Sequence, residues 1–170
     1  SGSRGVFSDI GCYTLAALPP YSVINSCVDM GASITMAVGA ADGGLRPSVA
    51  VIGDSTFTHS GMTGLLDAVM KNSPVTVIIS DNSATAMTGG QKSHATGRLE
   101  KICQGIGVAP EHIRTIIPLK KNHEENVRVI QEEFDYEGVS VIISARECIQ
   151  TASRRRKAES SQNKNKEQES

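Results

Sequence analysis

The chain has 170 residues, 39% of them hydrophobic, and a formal net charge of −1. This is length enough for one domain of ordinary size whose core needs no disulfide or metal staple, and the charge balance fits neither a disordered chain nor an electrostatic nucleic-acid binder. No apolar run approaches a membrane span, no secretory signal is expected, and Ser1-Gly2-Ser3 reads as an expression scar. Four scattered cysteines make no disulfide framework, so a cytoplasmic, reducing setting is the default.

Val6 to Ile10 reads as a first strand, stopped by Gly11, with Cys12 and Tyr13 in the turn that follows. Asp29 to Ala41 is apolar and small on nearly every side, which predicts a helix packed under a sheet. Asp42 to Pro47 has the turn chemistry of a loop. Two short β-branched runs come next, each ending in a carboxylate: Val49 to Ile52 leads into Gly53-Asp54-Ser55, and Val75 to Ser80 leads into Asp81-Asn82. With a helix starting near Gly61 between them, they predict a βαβ unit of parallel, buried strands. A right-handed crossover puts both carboxyl ends on one rim of the sheet, the edge where open α/β sheets bind ligands. Asp54 and Asn82 then meet although 28 positions separate them. Their side chains are hard oxygen donors suited to Mg²⁺, which completes its octahedron with water and phosphate oxygens. The helix near Gly61 is placed to aim its first amides at the same phosphate.

The remaining chain repeats this grammar. Thr96 to Ile106 and Asn122 to Phe134 are predicted helices, and Arg114 to Leu119 and Val139 to Ser144 predicted strands, the last leading to Cys148 on the carboxyl rim. The expected fold is α/β, a mainly parallel sheet with helices on both faces, over residues 1–150. From Thr151 the chain is polar and charged without an apolar period, so 151–170 is expected to be a disordered tail or a frayed helix.

Gly53-Asp54-Ser55, 26 intervening residues and then Asn82 resemble the thiamine-diphosphate signature. The run Ala86-Met87-Thr88-Gly89-Gly90-Gln91 is similar to the corresponding loop of the 2-oxoacid:ferredoxin oxidoreductases, and GDSTFTHSGMTG with SDNSATAMTG resembles their indolepyruvate-type alpha subunits. The resemblance covers roughly Val6 to Cys148. It implies the thiamine-diphosphate-binding (PP-type) fold and Mg²⁺ held by Asp54, Asn82 and the Ala84 carbonyl. Gly53 would approach the diphosphate, Ser55 would hydrogen-bond it, and Ala86, Met87 and Thr88 would line the cofactor.

The segment FSDIGCYTL resembles one that lies against the cofactor and an iron–sulfur cluster, which implies roles for Gly11 and Cys12 there. Beside Gly31, both Met30 and Ile34 are candidates for the aliphatic prop that holds the cofactor rings in a V. Cys12 and Cys148 match ligand positions of a [4Fe–4S] cluster, whereas Cys27 and Cys103 match none and are expected to be structural. His59, inside the matched run, and His94 are candidates for touching the 2-oxoacid or for acid–base work, with His94 the more ordinary loop histidine.

What the resemblance implies for function is oxidative decarboxylation of an aryl 2-oxoacid to acyl-coenzyme A, with ferredoxin as electron acceptor. Two departures bear on this. Only a handful of residues precede Cys12, leaving no place for the family's upstream CxxC pair, so the chain is not expected to complete a four-thiolate cluster. The family's pyrimidine-binding domain, whose glutamate activates the cofactor, is expected from a partner chain or second subunit, in an oligomer. A non-oxidative thiamine-dependent decarboxylase or synthase, and a cofactor-binding module without turnover, are the alternative readings.

Overall fold

The computed structural model describes residues 5–82, 84–85, 91–92, 95, 97–147 and 153. Six strands form one sheet in the order β2-β1-β3-β4-β8-β7, every neighbouring pair parallel. They are β1 (Gly5–Ser8), β2 (Ser26–Cys27), β3 (Ser48–Gly53), β4 (Val75–Asp81), β7 (Ile113–Ile116) and β8 (Val139–Ala145). A separate antiparallel pair, β5 (Ala84–Thr85) and β6 (Gln91–Lys92), flanks positions 86–90.

The central strands are β-branched because they are covered on both faces. Ala50 and Ile52, then Val75, Val77 and Ile79, then Val139, Val141 and Ile143 point into the larger core. There they meet α1 (Ser33–Asp42), α3 (Met62–Lys71) and α4 (Leu99–Ile106). Ile78, Ile142 and Ile116 alternate to the opposite face and pack on Val129 and Ile130 of α5 (His123–Asp135). At the amino edge, buried Glu133 accepts from His112 at 2.9 Å and from Arg114 at 3.3 Å, tying α5 to β7. This leaves the carboxyl rim of β1, β3 and β4 as the edge to which Asp9, Asp54 and Asn82 are delivered.

Three helix starts differ from expectation, one of them α4, which begins at Leu99 rather than Thr96. The first crossover helix does not wait for Gly61: α2 (Asp54–Thr56) begins directly at the end of β3, a π turn (Phe57–Gly61) follows, and α3 continues it. Thr56, Phe57 and Gly61 are buried in this stretch, and burial overrides the poor helix propensity of its β-branched residues, His and Gly. A Cβ on Gly61 would sit 2.7 Å from Ile52 Cδ1 and 3.0 Å from Phe57 Cδ2, so only a glycine fits where the π turn crosses the core. The Thr58 hydroxyl bonds back to the Ser55 carbonyl at 3.0 Å, supplying a partner where the helical ladder shifts register.

The third is α1, which begins at Ser33 rather than Asp29, because Gly31 has φ +96° and no helix continues through that conformation. The tail beyond Thr151 falls outside the described residues except for Ser153.

Candidate functional site

Parallel register aligns the ends of the central strands. Gly53 of β3 lies opposite Ser80 of β4, so Asp54 and Asn82 emerge side by side from adjacent strands, as the sequence spacing requires. Asp54 is only 3% exposed, and its Oδ1 accepts the Ser55 N–H at 2.8 Å. Asn82 is partly buried. Its strand's last residue, Asp81, pairs with Ala145 of β8, and the Arg146 N–H donates to the Asp81 carbonyl at 2.9 Å, extending the rim past the end of β8. Cys148 itself, Ala86, Met87, Thr88 and His94 lie outside the described residues. Ala84 opens the short β5 strand, two residues past Asn82.

On the other flank of β3, a residue not singled out in the sequence organises the loop. Asp9, fully buried just past β1, accepts the Gly31 N–H through Oδ2 at 2.7 Å and the Ser33 N–H through Oδ1 at 2.8 Å. The N-cap of α1 is Ala32, whose side chain can accept nothing, so Asp9 supplies from a distance of 24 positions the acceptor that a local Ser or Asp usually provides. Gly31 is fixed twice over: its φ is positive, and a Cβ there would collide with the Ser60 hydroxyl and lie 2.8 Å from Ser60 Cβ. The π turn and the Met30–Gly31 corner therefore press directly on each other.

The two prop candidates separate clearly. Ile34 is fully buried and packs against Gly61 and Gly64, whereas Met30 is 54% exposed beside the rim. His59 is exposed on the π turn.

Gly11 precedes a 3₁₀ turn (Cys12–Ala17), and its N–H donates to Thr14 Oγ1 at 2.9 Å, while Thr14 Oγ1 donates to the Asp9 carbonyl at 2.9 Å. Cys12 is exposed in this turn. Cys27, read as structural, is exposed instead, because β2 pairs with β1 and its Cys27 lies opposite Ser8 at the rim. Cys103 is buried in α4, where desolvation, with a smaller contribution from Glu100, pushes its thiol up to about 12.

Tyr13, the other residue that sequence reasoning passed over, folds its ring back toward β3, its hydroxyl oxygen 3.5 Å from where a Cβ on Gly53 would stand. Burial, then the nearby Asp9 charge, raises its pKa well above the ordinary phenol value.

The donor set fits a magnesium-bound diphosphate. A buried carboxylate and an amide oxygen stand at adjacent strand ends, and Gly53, the last residue of β3, puts no side chain before the carboxylate. Among the described residues no helix is long and apolar enough to cross a membrane.

Comparison with known proteins gives the same family. The model of the thiamine pyrophosphate enzyme C-terminal TPP binding domain matches residues 9–144. Indolepyruvate oxidoreductase subunit IorA of Pyrococcus horikoshii is 35% identical over 170 residues, covering 85% of this chain and 26% of that protein. The IorA of Archaeoglobus fulgidus is 35% identical over 169 residues, covering 93% and 26%. The chain thus spans about a quarter of the length of the curated relatives it matches.

Among solved structures, 2-oxoglutarate:ferredoxin oxidoreductase from Magnetococcus marinus aligns with TM-score 0.65 at 18% identity, covering 85% of this chain and 54% of that one. A thiamine diphosphate-dependent 4-hydroxybenzoylformate decarboxylase from Rhodococcus jostii aligns with TM-score 0.62 at 17% identity, covering 85% and 30%. At these identities the structural likenesses establish the fold. With the family match running from Asp9 at the end of β1 to Ser144 in β8, across the whole rim, the chain belongs to the family of C-terminal TPP-binding domains of thiamine pyrophosphate enzymes.

Proposed function

We propose that this domain binds the diphosphate end of thiamine diphosphate through Mg²⁺, within an oxidoreductase that decarboxylates aryl 2-oxoacids such as indolepyruvate to acyl-coenzyme A and passes the electrons to ferredoxin. The observation that carries the reading is the register of β3 and β4, which sets Asp54 beside Asn82. The IorA relatives support the indolepyruvate assignment by their names and by 35% identity over most of this chain.

Asp54, Asn82 and the Ala84 carbonyl would hold the metal, Ser55 would offer a hydroxyl to a phosphate oxygen, and Ala86, Met87 and Thr88 would contact the cofactor. Met30 is the prop for the rings, since Ile34 is committed to the core. Once bound, thiamine diphosphate supplies the carbon nucleophile and electron sink that decarboxylation needs. His59, exposed on the π turn, is placed to contact the oxoacid. Cys12 and Cys148 are half of a [4Fe–4S] site completed elsewhere in the assembly, which also contributes the pyrimidine-binding domain.

The test is dye reduction by the whole assembly, given indolepyruvate and coenzyme A. Viologen reduction that disappears in Asp54→Ala supports the reading. Release of aldehyde without dye reduction moves the domain to a non-oxidative decarboxylase.

A further inference from the structure

The start of α1 is occupied by a side chain of the protein itself. The first amides of a helix form a ready seat for an anion, often a phosphate. Here the anion is the Asp9 carboxylate, whose two oxygens accept the Gly31 and Ser33 N–H groups at 2.7 and 2.8 Å. Asp9 and Ser33 are fully buried, so the second of these bonds is closed to water. Beside them the Met30 N–H donates to Asp29 Oδ1 at 2.7 Å, and the Ala32 N–H donates to the Asp29 carbonyl at 3.3 Å. Each amide from Met30 to Ser33 therefore has a partner within the chain, and none of the four is left for a diphosphate. What this corner of the rim presents outward is the Met30 side chain, 54% exposed.

The corner also has no slack. Gly31 stands at φ +96°, and a Cβ there would collide with Ser60 Oγ, so the corner is packed against the π turn that carries His59.

We propose that Asp9 is a positioning residue for the ring end of the bound cofactor. By filling the seat at the start of α1 it fixes the Met30–Gly31 corner, which contacts the thiamine rings and leaves the diphosphate to the Asp54 side of the rim. The inference deepens the thiamine diphosphate reading and rests on it.

Calorimetry with two ligands, each with Mg²⁺, separates the two ends of the cofactor. Inorganic diphosphate reports the metal site alone, and thiamine diphosphate reports the metal site together with the rings. Asp9→Asn keeps one acceptor oxygen and is measured where circular dichroism shows it folded. With one bond to the carboxylate lost, the corner is expected to stand in place in about a tenth of the molecules, and affinity falls by that fraction. Thiamine diphosphate should therefore bind about tenfold more weakly, with inorganic diphosphate bound as in the wild type. Met30→Ala, which leaves the core untouched, should give the same selective loss, and adding Asp9→Asn to it should cost no further affinity.

Equal weakening of both ligands by Asp9→Asn overturns the proposal, because the carboxylate would then support the fold as a whole. Unchanged affinity for both ligands also overturns it. So does undiminished thiamine diphosphate affinity in Met30→Ala, a result that decides the matter even if Asp9→Asn does not fold. A wild type that binds inorganic diphosphate but not thiamine diphosphate, or neither, removes the cofactor reading itself, and this proposal with it.

Discussion

Removing the Asp9 carboxylate tests how the β1 rim and the Met30 loop are held together. Asp9→Ala leaves the Gly31 and Ser33 amides without their acceptor, both bonds being 2.7–2.8 Å to an anionic oxygen. Hydrogen bonds to charged groups contribute about 1.5–3 kcal/mol each. Ser33 is fully buried, so its amide suffers the whole desolvation penalty, whereas Gly31 is partly exposed and water can reach it. The sum is therefore set near the lower end, about 3 kcal/mol, a large share of the roughly 5–15 kcal/mol that holds a domain together. Asp9→Asn keeps one acceptor oxygen and turns an NH₂ toward the other N–H, so about half of that loss or more is expected. Urea titration followed by circular dichroism reads both as a lower midpoint at unchanged slope. If both variants remain within about 0.5 kcal/mol of the parent, the range of an ordinary surface change, the carboxylate is not the cap of α1.

Other expectations follow from the same packing. Gly61→Ala drives a methyl into Ile52 and Phe57, and overpacking of about 1–3 kcal/mol against a helix-propensity gain of about 1 kcal/mol gives a net loss of up to about 2 kcal/mol by urea titration. Gly31→Ala combines a positive φ with the Ser60 clash, so about 2–3 kcal/mol is lost, and adding Ser60→Gly restores the steric part but not the backbone part. The Cys103 thiol holds its proton more tightly folded than unfolded, rising from 9.0 to about 12. Its contribution to stability is complete below pH 9 and is lost between pH 9 and 12, as the unfolded thiol ionises first. Cys103→Ala should flatten that part of the alkaline limb in a pH series of denaturation midpoints. In the native protein at neutral pH, a thiol reagent followed by peptide mapping should label the exposed Cys12 and Cys27 and spare Cys103 until unfolding.

The parts of the fold written in local pattern were legible in the sequence. Valine- and isoleucine-rich runs mark β3, β4 and β8, and the crossover rule alone puts Asp54 and Asn82 on one rim. What stayed hidden depends on contacts between distant segments. Asp9 looks like any polar residue after a strand until the turn at Gly31 brings the start of α1 onto it. An alanine at the N-cap was the one available signal that an acceptor had to come from elsewhere. Tyr13 was hidden for the same reason, its phenol reaching Gly53 on another strand. Met30 and Ile34 could not be told apart because their spacing fits one helix face, and only the late start of α1 leaves Met30 outside the helix and Ile34 inside the core. The exposure of Cys27 follows from a two-residue strand too short to leave a periodic trace.

The central claim is that Asp54 and Asn82 hold the metal through which this domain grips a diphosphate. Calorimetric titration of thiamine diphosphate into the domain tests it under three conditions: wild type with Mg²⁺, wild type with chelator, and Asp54→Ala with Mg²⁺. A diphosphate facing the Asp54 carboxylate without a cation between them is repelled, so binding is expected in the first condition and a loss of at least a hundredfold in the other two. Equal affinity in all three would contradict the metal bridge.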